Sequence, residues 1–263
     1  MINKMRPLRR WLTCLLVLTL IISWALPQSV QAKSKTFSVV AVGDSLTYGV
    51  GDPNHRGGYC YLIKKPLQKA TKQKVRVANF GISGETSAQI LKRVKTKSSL
   101  RQDLKQGQLI VITAGGNDVM HALRARGLKL SEKQLLTYQK QYTNNMEQMV
   151  HEIRTLNKKA PIYIYGIYNP YAIYFKKIPG MKRAINNWNK NTQQLTQEHW
   201  RVHFVDISAL ARPKKLQYSK KTQETTNPLL YTKDYFHPNR QGYQLMTNKL
   251  WQKLQKTKSE WRP

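Results

Sequence analysis

Five strand-length apolar runs, separated by stretches of helical periodicity, constrain this chain more than any other feature. Phe37–Val42, Val75–Asn79, Leu109–Thr113, Ile162–Tyr168 and Val202–Val205 are short, rich in β-branched or aromatic residues, and bounded by turn residues. Ser131-Glu132-Lys133-Gln134 reads as a capping box. Behind it Leu135, Tyr138, Tyr142, Met146, Met149, Ile153 and Leu156 recur at helical spacing. Met181, Ile185, Trp188 and Leu195 trace a second such face, and Tyr243, Met246, Leu250 and Leu254 a third, in a helix opening near Pro238-Asn239. These Met and aromatic stripes read as core rather than as a cofactor box. Strands alternating with helices demand crossover connections, hence a parallel sheet covered on both faces. The expected fold is α/β: a flavodoxin-like three-layer α/β/α sandwich with a five-stranded parallel sheet in the order 2-1-3-4-5. Functional groups should then collect at the carboxyl ends of the strands.

The first 32 residues differ in kind. Lys4, Arg6, Arg9 and Arg10 precede an uncharged run from Trp11 to Ala32 that closes on Val30-Gln31-Ala32, a small-residue cleavage pattern. Residues 1–32 therefore read as a secretory signal cleaved after Ala32, and 33–263 as one domain. An uncleaved membrane anchor is the alternative, although Trp11–Leu26 is short against the roughly 20 residues a spanning helix needs. Cys14 lies inside the leader, which leaves Cys60 alone, so no internal disulfide can form and the fold must rest on its core. Cys60 reads as a small apolar residue at the start of a helix.

Forty-five Lys and Arg against 13 Asp and Glu give a formal charge of +32. Such an imbalance favours anionic partners. An exported protein meets phosphate-bearing wall polymers or anionic membrane headgroups first, and the leader counts against nucleic acid. The basic residues are spread along the chain, so a uniformly solvated cationic surface remains an equal reading. We expect a monomer.

Strand ends are where the chemistry concentrates. Gly43-Asp44-Ser45-Leu46 follows the first run, Gly84 the second, and Gly115-Gly116-Asn117-Asp118 the third; Asp234-Tyr235-Phe236-His237-Pro238 follows the fifth after a long basic loop. A serine hydroxyl needs a neighbouring base to become a nucleophile. Of six histidines His237 is the best placed, because Asp234 three residues earlier can hold its Nδ1–H and leave Nε2 to face Ser45. The backbone N–H groups of Ser45 and Gly84 and the side-chain amide of Asn117 could receive a developing oxyanion, one good donor being worth about 3–4 kcal/mol. Asp44 and Asp118 read as loop braces. The stretches Val119–Lys129 and Ile207–Lys233 could flank the site as loops. Tyr168-Asn169-Pro170-Tyr171, Tyr174 and Phe175 could wall an acyl chain, and Arg212, Lys214, Lys215, Lys220 and Lys221 could form a basic rim.

These four blocks resemble those of the SGNH/GDSL hydrolases, a family of esterases and lipases, and the resemblance spans nearly all of the chain behind the leader. It implies a flavodoxin-like α/β/α fold and an acyl-enzyme mechanism on carboxylic esters, with Ser45, Asp234 and His237 catalytic. Ser45, Gly84 and Asn117 would form the oxyanion hole, and no metal or other cofactor would be needed. The chain is most similar to exported lipase- or acylhydrolase-like members from Gram-positive bacteria. A non-catalytic cationic protein binding cell wall or membrane on the same fold is the rival expectation.

Overall fold

The computed structural model describes residues 36–126, 132–170, 181–213, 216–219 and 223–262. The leader, Ser131 of the expected capping box, Tyr171, Tyr174, Phe175, and rim residues Lys214, Lys215, Lys220 and Lys221 lie outside them. Among the described residues no helix is long and apolar enough to cross a membrane.

Five parallel strands, β1 (Thr36–Gly43), β2 (Lys74–Gly81), β3 (Leu109–Thr113), β4 (Ile162–Tyr165) and β5 (Val202–Val205), pair in the order 2-1-3-4-5, as expected. Successive side chains on a strand point to opposite faces, and the two faces carry separate cores. Val40, Val42, Ile110, Ile112, Ile162 and Ile164 pack against α4 (Ser87–Thr96), α5 (Ser98–Gln106), α7 (Glu132–Leu156) and α8 (Met181–Glu198). Val39, Ala41, Leu109, Val111, Tyr163 and Tyr165 pack against α2 (Tyr59–Leu62), α3 (Lys64–Thr71), α9 (Arg240–Lys256) and α10 (Lys258–Trp261). The sequence stripes supply these layers: Tyr142, Met146, Met149 and Ile153 from α7, Ile185, Trp188 and Leu195 from α8, and Tyr243, Met246, Leu250 and Leu254 from α9.

Three expectations are corrected. The fourth strand ends at Tyr165 rather than Tyr168. Gly166 N–H still bonds the Val205 carbonyl (2.9 Å), but at Ile167 the Asn189 side chain of α8 takes both backbone groups at 2.8 Å and draws the chain out of the sheet. Val119–Arg126 is not loop but the body of α6 (Gly116–Arg126). The stretch 207–233 holds a 3-10 turn (Ser208–Ala211) and a small antiparallel hairpin, β6 (Gln217–Ser219) with β7 (Glu224–Thr226).

Candidate active site

β1 delivers Ser45 at its carboxyl end. The adjacent Asp44 caps the short helix α1 (Ser45–Tyr48) by accepting from Leu46 N–H (3.0 Å). Gly43 lies in register with Thr113, and a Cβ on it would sit 2.2 Å from Thr113 Oγ1, so only glycine allows β1 and β3 to meet here. Thr113 Oγ1 donates to Asp44 Oδ1 (2.7 Å), which fixes the direction of the remaining bonds. With its one proton committed, Thr113 accepts from Thr47 Oγ1 (2.8 Å), and Thr47 in turn accepts from Tyr59 OH (2.8 Å). Three hydroxyls thus point one way, toward a carboxylate. Burial pushes the Asp44 carboxyl up from its ordinary range against the pull of these donors.

The loop before α9 delivers Asp234 and His237. Asp234 Oδ1 accepts from the N–H groups of Phe236 (2.8 Å) and His237 (3.0 Å), and its Oδ2 lies 2.7 Å from His237 Nδ1. His237 Nε2 is 2.9 Å from Ser45 Oγ across a separation of 192 residues. Partial burial raises the Asp234 carboxyl, but bonds from the His237 ring and the two backbone N–H groups outweigh it and hold the group below the usual carboxylate range. An ionised Asp234 requires the proton on Nδ1, so in the neutral imidazole Nε2 offers its lone pair to the serine hydroxyl.

The segment carrying these groups is tied down locally. Tyr231 N–H bonds the His237 carbonyl (2.7 Å), Tyr168 OH bonds the Phe236 carbonyl (2.5 Å), and Asn239 Nδ2 holds the carbonyls of Pro228 and Leu230. Asn239 also caps α9 through Gln241 and Gly242 N–H.

Ser45 and Asn117 contribute polar atoms to one pocket whose apolar wall is Leu46, Ala114, Ile167, Tyr168, Pro170 and Phe236. Of the expected acyl wall, Tyr168 and Pro170 are therefore in place. Asn117, in the first turn of α6, spends one amide hydrogen on the Glu85 carbonyl (2.8 Å), which binds it to the loop after β2; Nδ2 carries a second. Gly84 stands in that loop, exposed at φ +86, a left-handed conformation that glycine adopts without strain, and it does not line the pocket. The structure thus joins Ser45, Asp234 and His237 directly, brings Asn117 to the same pocket, and leaves Gly84 beside it on the loop that Asn117 holds.

Other candidates fall elsewhere. Asp118 accepts from Ser87 N–H (2.9 Å) and Ser87 Oγ (2.5 Å), a brace between α6 and α4. His199 pairs with Glu147 and His203 with Glu260. Cys60 is buried, which pushes its thiol up to about 12 and keeps it un-ionised at neutral pH. Among the described residues no group of three His, Cys, Asp or Glu could hold a metal ion.

Sequence reasoning missed Arg93. From α4 its guanidinium donates to the Glu85 carboxylate (2.7 Å), the Phe80 carbonyl (2.9 Å) and the Gly43 carbonyl (3.1 Å), binding the ends of β1 and β2 to the Gly84 loop. An arginine on a helix already rich in basic residues carries no local signal of that task.

Known proteins resemble the chain in sequence and in fold. Over 228 residues the chain is 28% identical to YpmR of Bacillus subtilis (strain 168), covering 86% of this chain and 85% of that one. It is 24% identical over 219 residues to the spore germination lipase LipC of Bacillus licheniformis, covering 82% and 95%. The lipase Lip_vut3 from goat rumen metagenome shares the fold, with a TM-score of 0.67 and 23% identity over 82% of this chain and 96% of that one. Residues 41–245 match the GDSL-like Lipase/Acylhydrolase family, so the chain belongs to that family of carboxylic ester hydrolases.

Proposed function

We propose that Ser45 is the nucleophile, His237 the general base and acid, and Asp234 the group that orients and stabilises the imidazolium. The observation that carries this is the continuous relay from Ser45 Oγ to His237 Nε2 (2.9 Å) and from His237 Nδ1 to Asp234 Oδ2 (2.7 Å). His237 takes the serine proton as Oγ attacks the ester carbonyl, then gives it to the departing alcohol. Water, activated by the same ring, releases the acid. Charge developing on the carbonyl oxygen meets the Ser45 N–H and the second amide hydrogen of Asn117, and the Gly84 N–H, on the neighbouring loop that Asn117 holds, is the third donor of this proposal. Removing the Asn117 amide should lower kcat about 10²–10³-fold.

The apolar wall beside Ser45 suits an acyl chain, and a relative named as a spore germination lipase supports a lipid ester. Net positive charge favours esters that carry or adjoin negative charge, O-acylated wall polymer included. The protein acts as a monomer outside the cell after its leader is removed. N-terminal sequencing of secreted material should begin at Lys33; an intact leader in a membrane fraction would support the anchored form instead.

Hydrolysis of p-nitrophenyl acetate and its longer homologues, with acetylated glycans and lysophospholipid alongside, tests the activity and grades the acyl chain. The Ser45→Ala variant should show no turnover above background and no labelling by a fluorophosphonate. Equal turnover by wild type and variant would overturn the assignment.

A further inference from the structure

On the α2/α3/α9/α10 side of the sheet, two adjoining hollows of about 580 and 570 Å³ share Pro66, Lys69 and Trp251 and make one trough between α3 and α9. One end holds Tyr61 and Gln244, the latter in the first turns of the helix that follows His237; the other holds Trp261 and Arg262. Lys64, Lys65, Lys69, Lys258 and Arg262 line it, and among the described residues no Asp or Glu does. Among the described residues none of these five cations has a carboxylate within 4 Å, whereas Arg76, Arg93 and Arg101 are each paired with an acid. Lys65 and Lys69 are four apart on α3, so they present charge from one helical face.

We propose that this trough binds a linear phosphodiester polymer, which holds the hydrolase on a polyanionic surface away from its own catalytic pocket. A cation without a counter-ion repels its neighbours, and a trough that gathers five of them gains by drawing in a chain of fixed negative charge and releasing that chain's counter-ions. The concave shape selects a strand over a bilayer: the charges line a channel, with aromatic surface from Trp251 and Tyr61 to receive the uncharged units between phosphates. Tyr61 already lies under the Arg56 guanidinium (4.4 Å) and the Lys64 ammonium (5.9 Å), which keeps the positive charge at that end of the trough. The same short helix turns Tyr59 inward to Thr47, behind the nucleophile, and Tyr61 outward to the trough.

The test is titration of the full chain without its leader with linear poly(glycerol phosphate), followed by tryptophan fluorescence and calorimetry over a salt series. A triple variant, Lys64→Gln, Lys65→Gln and Lys69→Gln, should bind about tenfold or more weakly, and its dependence of log K on log salt should be shallower by roughly two, three cations at about 0.7 each. A control triple of equal charge change on α7 and α8, Lys133→Gln, Lys140→Gln and Lys182→Gln, should lose about twofold or less, the share due to diffuse charge. Ser45→Ala should bind as wild type does, so the outcome is independent of the catalytic assignment, and the trough triple should keep wild-type turnover of p-nitrophenyl acetate. Equal losses in both triples, no loss in either, or trough-dependent binding to phosphatidylglycerol vesicles without binding to the polymer would overturn the proposal.

Discussion

Asp44 and Asp234 stand on opposite sides of the Ser45–His237 contact, and their carboxyls are shifted in opposite directions. Asp44 belongs to the sheet: it is 4% exposed, and its surroundings are hydroxyls and backbone from β1, β3 and α1. Burial raises it. Asp234 belongs to a loop: its side chain is 33% exposed, and the donors it accepts from lie two and three residues away in sequence. Those donors lower it. Ser45 is thus held by contacts between distant segments, and His237 by a turn that largely builds itself. Loss of a sheet-side group should register mainly as stability, and loss of a loop-side group mainly as activity.

The largest effect separating the two sides should come from Asp234→Asn. Asparagine keeps an oxygen for the Phe236 and His237 N–H groups, so the melting temperature at neutral pH should fall only by the modest share that the ionised carboxylate contributes. It cannot stabilise an imidazolium or enforce the Nδ1–H tautomer, so kcat/KM should fall by roughly 10⁴-fold. The two acids should also leave opposite marks on stability against pH. A lowered native value means that the unfolded chain binds the proton first as pH falls. The contribution of Asp234 is therefore complete above the ordinary carboxylate value and is lost as pH drops through the lowered one. For Asp44 the native state binds the proton first, so stability rises as pH falls through the raised value. Denaturation midpoints measured across the acid range should show Asp234→Asn removing a downward slope and Asp44→Asn an upward one. Slopes of the same sign would break the contrast.

Arg93→Leu comes next. The Arg93 and Glu85 side chains are 13% and 15% exposed, so the substitution strands a largely enclosed carboxylate and two carbonyls at the ends of β1 and β2. A loss of about 3 kcal/mol is expected from urea unfolding, with kcat falling as well because the Gly84 loop is freed. If stability fell while kcat held, Arg93 would be a strut of the sheet and nothing more.

Thr113→Val conserves shape and deletes only the hydroxyl between Asp44 and Thr47. It leaves a buried carboxylate one donor short, at a cost of about 1–3 kcal/mol. The direction of the hydroxyl chain makes a sharper test. Asp44→Asn with Thr113→Val should cost less than the two changes added together, because the second then strands no charge.

What the amino-acid sequence made legible follows the same division. The Asp234–His237 turn could be read as a unit because its bonds span two or three residues, and Gly43 to Ser45 could be read because a strand must end before a nucleophile is presented. The strands were legible through β-branched runs buried on both faces, and α7 and α9 through their apolar stripes. Arg93, Thr113, Thr47 and Tyr59 were not. Each looks ordinary among its neighbours, and its role exists only once segments 12 to 69 residues apart are packed together. The end of β4 was illegible for the same reason, since a side chain 22 residues downstream decides it.

Tyr168→Phe should give the smallest effect and the finest discrimination. Its hydroxyl donates to the Phe236 carbonyl, one residue before His237, while its ring forms part of the apolar wall beside Ser45. Phenylalanine keeps the wall and gives up the tether, a loss of about 0.5–1.5 kcal/mol. Because the Asp234 turn carries its own internal bonds, the loop should keep its shape and lose only part of its anchorage to the sheet. That freedom should appear as a drop in kcat of roughly two- to tenfold, the same energy expressed as a rate, with KM for a short acyl ester unchanged and unfolding nearly as in wild type. A loss of stability matching Thr113→Val would mean that His237 is packed into the fold as firmly as Ser45. The two sides of the site would then differ only in how far along the chain their partners lie.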